Sequence, residues 1–165
     1  MKNLKTNANR ILLIGIGNSG RKDDGLGWIF TELVNGLKLP SLDVEFRYQL
    51  QIEDVLLIGR YDKIIFADAS HGTLQDGFEL KPCIAAQHYF FSSHLQSPET
   101  VLYLAKELYN KTPDAYTLAI EGKDWGLGTN LSKEAKINLH TAISFFEKDF
   151  FPSALTPGPM FKNLS

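Results

Sequence analysis

Ile11-Leu12-Leu13-Ile14-Gly15-Ile16-Gly17-Asn18-Ser19-Gly20-Arg21-Lys22-Asp23-Asp24-Gly25-Leu26-Gly27, followed by Trp28-Ile29-Phe30-Thr31-Glu32-Leu33-Val34, is the stretch that decides the fold. The apolar run from Ile11 to Gly17 reads as a buried strand, and Trp28 to Val34 has helical periodicity. Between them lies a loop bracketed by glycines that carries two adjacent carboxylates, Asp23 and Asp24. A strand, a loop and a helix in that order place the pair at the C-terminal end of the first strand. In an open α/β sheet, ligands bind there.

The same stretch imitates a dinucleotide fingerprint. Gly15-Ile16-Gly17-Asn18-Ser19-Gly20 satisfies G-x-G-x-x-G letter for letter. A working fingerprint needs a helix to begin inside it, so that helical N–H groups face a pyrophosphate. Arg21-Lys22-Asp23-Asp24-Gly25 has no apolar face and ends in glycine, so the helix is expected to start near Asp24 or Gly25. Two carboxylates beside the loop would also repel a pyrophosphate. No nucleotide is expected, and a small nucleotide-binding enzyme using Gly15 to Gly20 is the weakest of three readings. Capping of the following helix is the plainer reading of the two acids, although one cap needs only one carboxylate.

Working outward, the first strand covers 10–16 and its helix 25–37, with Trp28, Ile29, Leu33, Val34 and Leu37 able to share a face. Leu42 to Tyr48 alternates as a half-exposed strand, and Glu53 to Gly59 reads as a short helix. Lys63 to Ala67 is a buried strand with Asp68 standing at its end. After a turn at Gly72 to Gly77, Phe78 to Pro82 and Ala85 to Phe91 carry weaker strand signals. Ser97-Pro98-Glu99 opens a helix with a cap, a proline at the first position and an early acid. Tyr116 to Ile120 is another buried strand, a last helix over 132–148 starts at the Ser132 cap, and the proline-rich 152–165 reads as an irregular tail, like 1–9. The alternation predicts one α/β domain over 1–165, a three-layer sandwich whose twisted, mostly parallel sheet has helices on both faces.

The chain has 165 residues, net charge −2 and one cysteine, Cys83. The charge offers no basic footprint for nucleic acid. One cysteine builds neither a disulfide framework nor a thiolate cage, which suits a reducing cytoplasm, and Cys83 reads as a small buried side chain. No apolar stretch is long enough to cross a membrane, and the run after Lys2, Lys5 and Arg10 is too short for a signal peptide.

Three candidates fall at the C-terminal edge of the expected sheet: Asp24, Asp68 and His94 of Phe90-Phe91-Ser92-Ser93-His94. Two carboxylates and an imidazole from separate loops suit nickel, zinc, iron or manganese, and three protein ligands leave positions open for chemistry. Each has a plainer role: Asp68 can accept from loop N–H groups, and His94 can cap or pack. Ser70, Ser92 and Ser93 lack a G-x-S-x-G elbow. His71, His88 and His140 show no partner pattern.

The ordered motifs resemble the hydrogenase maturation proteases, endopeptidases that trim the C-terminus of [NiFe]-hydrogenase large subunits. The residues are Gly15-Ile16-Gly17-Asn18 with Asp23-Asp24-Gly25-Leu26-Gly27, then Ile65-Phe66-Ala67-Asp68-Ala69, then Ser92-Ser93-His94, and last the segment from Gly126 to Ser132 ahead of a helix. The resemblance runs from about Arg10 to about Phe146. It implies that Asp24, Asp68 and His94 sense nickel already held by the immature large subunit, so that the metal arrives with the substrate and gates the cut. Asp23 is available as an outer-shell base, and both a polarised carbonyl and an activated water are open as routes of attack. The implied partner is the large-subunit precursor. The Asp-Gly-Gly-Thr that many members carry after the second strand is replaced here by Arg47-Tyr48-Gln49-Leu50-Gln51. That departure motivates the second reading, a non-catalytic metal-sensing or docking protein of hydrogenase assembly.

Overall fold

The computed structural model describes residues 9–88 and 96–155. Strand β1 (Ile11–Ile16) leads through a 3-10 turn (Lys22–Gly25) into helix α1 (Leu26–Gly36). Then follow β2 (Leu42–Arg47), α2 (Asp54–Ile58), β3 (Lys63–Ser70), β4 (Phe78–Pro82), α3 (Pro98–Tyr109) and β5 (Asp114–Glu121). Helix α4 (Lys133–Phe145) runs into a π-helical turn (Phe146–Phe150) and a short α5 (Phe151–Ala154).

The sheet order is β2-β1-β3-β5-β4, parallel except for the β4 edge. Alternation along β1 builds two cores. Ile11 and Leu13 face Phe30 of α1 and Leu139 of α4, while Leu12 and Ile14 face Val55 of α2 and Val101 of α3. The result is the expected three-layer sandwich. From β1 the chain crosses first to β2 on one side and then to β3 on the other, so the order reverses between β1 and β3. A crevice opens at such a reversal, beyond the C-terminal ends of the strands.

Helices α3 and α4 begin at their expected caps: the Ser97 hydroxyl accepts from Thr100 N at 3.1 Å and the Ser132 hydroxyl from Ala135 N at 3.1 Å. Three expectations need correction. Ala85 to His88 form no strand, and the remainder of that segment, 89–91, lies outside the described residues. The C-terminal segment is not irregular from 152, because Phe151–Ala154 is helical. Pro152 is tolerated in the first turn of α5, where no N–H is needed. The wider π turn just before it brings Phe146, Phe150 and Phe151 all inward, and each is buried. Lastly, β3 runs on to Ser70, because β5 continues to pair with it as far as Ser70 opposite Glu121.

Candidate active site

Pairing of β1 with β3 stops at Gly15 opposite Ala67, whereas β3 and β5 continue with Asp68 opposite Ala119. Asp68 is therefore the first β3 residue past the reach of β1, at the crevice. There the chain after β1 turns at Gly17, with φ +139°, a conformation that side chains resist. A Cβ on Gly17 would strike the carbonyl oxygen of Asp24 and stand 3.9 Å from Asp68 Oδ1. Glycine is what lets these two acids' segments close over the end of β1.

Asp24 is half-buried, and its Oδ2 accepts from Asn18 N at 3.0 Å. The carboxylate thus ties the loop back on itself. Neither Asp23 nor Asp24 caps α1, whose N-cap residue is Gly25 without a side-chain hydrogen bond. Asp68 is open to solvent, and its Oδ1 accepts from Ala69 N at 2.8 Å. Desolvation by the surrounding protein nonetheless pushes its carboxyl up to about 6; the Ala69 N–H opposes this and the charge of Asp24 adds to it. Two acids that feel each other's charge across a crevice are a site suited to a cation. His94 lies outside the described residues, and among the described residues no three acids, histidines or cysteines gather as a metal site.

Asp23 points away from the crevice and is fully buried. Its Oδ2 accepts from Lys123 N at 2.7 Å, Asp124 N at 2.8 Å and the Ser132 hydroxyl at 2.6 Å, and its Oδ1 accepts from Ser132 N at 2.8 Å. Burial raises the Asp23 pKa, but these donors outweigh it and hold the carboxyl below the usual range. Backbone bonds extend the clasp: Lys22 N to Gly128 O at 2.8 Å, Gly128 N to Gly20 O at 3.0 Å and Asp23 N to Asp124 O at 3.0 Å. Most of the loop's N–H groups are therefore engaged inside the protein. Gly17 N donates to Arg47 O, Arg21 N to Asn18 O and Gly20 N to Asn18 Oδ1. A phosphate cradle needs such groups unengaged and a helix starting within the motif; here α1 starts only at Leu26.

A cleft of about 420 Å³ opens beside Asp68, floored by Ile16, Phe66 and Ala119 and rimmed by Gln49, Ser70 and His71. Gln49 belongs to the segment that departs from the family motif. That segment is firmly built: Arg47 O accepts from Gly17 N at 3.0 Å and Trp28 Nε1 at 2.8 Å, and Arg47 Nε donates to Asp54 Oδ1 at 3.0 Å. The sequence showed no partner for His71, but its ring stacks on Trp125 with centroids 3.6 Å apart and planes 21° from parallel. Only the fold brings these residues together. Cys83 is half-buried and desolvation pushes its thiol up to about 12, in keeping with an inert side chain. No helix among the described residues is long and apolar enough to cross a membrane.

No protein-family model matches the chain, and no curated protein matches it by sequence. Solved structures do. The [NiFe] hydrogenase maturation protease HycI from Thermococcus kodakarensis KOD1 aligns with 22% identity over 88% of this chain and 95% of its own, at a TM-score of 0.66. The hydrogenase-maturating endopeptidase HybD from E. coli aligns with 15% identity over 85% of this chain and 94% of its own, at 0.64. An uncharacterised protein from Wolinella succinogenes aligns with 21% identity over 85% and 95%, at 0.57. At these identities the likeness establishes the fold, which this chain shares over nearly the whole length of each neighbour.

Proposed function

We propose that this protein is a nickel-dependent endopeptidase that removes the C-terminal extension of a [NiFe]-hydrogenase large-subunit precursor after metal loading. The observation that carries the reading is the meeting of Asp24 and Asp68 at the β1/β3 reversal, in the fold of the hydrogenase maturation proteases. The donor set fits the cargo. Charged oxygens suit a divalent ion, and a carboxyl already raised to about 6 beside another acid gains most when a cation arrives. Nickel held by the precursor then belongs to the substrate, and Asp24 and Asp68 hold the precursor by it, with His94 as the third donor. The cleft beside Asp68 receives the peptide. Its apolar floor excludes water from one side of the chain, and its polar rim offers groups that bond the backbone.

The reading predicts cleavage of nickel-loaded precursor and none of nickel-free precursor, measured by the mass of the trimmed subunit. Equal trimming of both forms would end the gating idea. A second reading, a docking protein without cleavage, is favoured by one feature: the changed Arg47 to Gln51 segment, whose Arg47 is spent on Asp54 and Glu45. Such a protein would co-elute with nickel-loaded precursor and leave its mass unchanged.

A further inference from the structure

We propose that His71, mounted on Trp125, is a substrate-binding residue that donates a hydrogen bond to a backbone carbonyl of the peptide lying in the cleft. The inference rests on the endopeptidase reading and adds to it a residue and a recognition mode. The imidazole is exposed and lines the same cleft as Asp68. Stacking at 3.6 Å and 21° fixes its plane. The two ring nitrogens lie in that plane, so stacking leaves them available, and no hydrogen-bond partner takes them among the described residues.

The platform is itself built. A Cβ on Gly122 would lie 2.8 Å from two atoms of the Trp125 ring, so the indole lies flush on bare backbone. Gly122 N donates to Ser70 O at 3.0 Å, which fastens that backbone to the end of β3 beside His71. The buried Asp23 clamps Lys123 and Asp124 on the way to Trp125. The indole beneath His71 thus packs on Gly122, in a backbone that Ser70 and Asp23 hold in place. In the same cleft, the floor of Ile16, Phe66 and Ala119 takes an apolar side chain of the same peptide. One polar and one apolar contact together hold the peptide beside Asp68.

The test measures steady-state trimming of nickel-loaded precursor by wild type, His71→Ala, His71→Gln, Trp125→Phe and Trp125→Ala, beside a thermal melt of each. Lost ground-state binding raises KM and leaves kcat in place. His71→Ala should raise KM by about tenfold, the usual worth of one hydrogen bond in a cleft, with kcat within about twofold. His71→Gln keeps a donor and should recover part of the loss, Trp125→Phe should keep most of wild-type KM, and Trp125→Ala should behave like His71→Ala. An unchanged KM in His71→Ala, or a fall in kcat alone, overturns the inference while wild-type cleavage upholds the endopeptidase. No cleavage by wild type overturns both. A second readout covers early melting of Trp125→Ala. The chain has two tryptophans, so in Trp28→Phe protein Trp125 is the sole tryptophan and is excited selectively at the red edge. Binding of nickel-loaded precursor to this variant must change that emission in the spectrum corrected for the same precursor added to Trp28→Phe/Trp125→Phe protein, and an unchanged corrected spectrum at saturation overturns the proposal.

Discussion

Asp23 and Asp24 are adjacent in the chain and differ in what they do. Asp23 spends both oxygens on four donors from residues 123–132. Asp23→Ala leaves those donors unpaired in the interior, and we expect a loss of about 3–5 kcal/mol in urea titration. An exposed cap would cost only ~1 kcal/mol. The folded-state pKa is below the usual value, so the stabilisation is present above the ordinary carboxylate range and is lost as pH falls through the depressed pKa. The acid limb of wild-type stability should therefore flatten in Asp23→Asn. Asp68 has the opposite sign. Its folded pKa of about 6 lies above the ordinary 3.8, so its charge opposes folding above about 6 and costs nothing well below 3.8. Asp68→Asn should melt no lower than wild type at pH 7.5, lose any such advantage at pH 3.5, and lose precursor trimming. A thermal melt at both pH values beside the trimming assay checks all three.

Among the elements, α1 sets the site's position. It lies so close to the sheet that a Cβ on Gly27 would strike the carbonyl oxygens of Ala67 and Ile16. A Cβ on Gly15 would stand 2.5 Å from Thr31 Oγ1 and 2.6 Å from Gly27 O. Gly15 and Gly27 therefore let helix and strand touch. Since Asp24 sits two residues ahead of α1 and Asp68 one residue after Ala67, that contact fixes the acids relative to each other. Gly27→Ala should push the helix outward, cost about 1–3 kcal/mol by overpacking and lower cleavage together with stability. At the far end of the clasp, Ser132 caps α4 and donates to Asp23 at once. Ser132→Ala should cost more than the ~1 kcal/mol of a lone cap, and a double-mutant cycle with Asp23→Asn should show the excess as coupling.

Over the whole molecule, the two cores divide the work. The α2/α3 side carries the cleft, while the α1/α4 side ends in an aromatic cluster. There Phe146 meets Phe30 edge-on at 5.4 Å and lies 5.4 Å from Phe150. Phe146→Ala should cost about 3–5 kcal/mol by leaving a cavity. Because the sheet stands between this cluster and the cleft, the variant should keep wild-type KM and kcat below its melting transition. A loss of activity in step with stability at low temperature would show that the two layers are coupled.

Period and punctuation in the sequence determined the elements and the three-layer class. Apolar runs such as Ile11 to Ile16 and Ile64 to Ala67 have one way to bury both faces, and Ser97 and Ser132 announce helices through local hydrogen bonds. The acids of the crevice were legible because they follow strands, and parallel strands end on one edge. Partners distant in sequence were not legible. Asp23 and Ser132 stand 109 residues apart, and nothing in either local sequence distinguishes a clamp from a cap or a base. His71 and Trp125 stack only because Gly122 holds the returning chain against the end of β3. Local sequence specifies conformation through near-neighbour sterics and burial pattern. Which polar group meets which depends on sheet order, and that is decided only when the whole core closes.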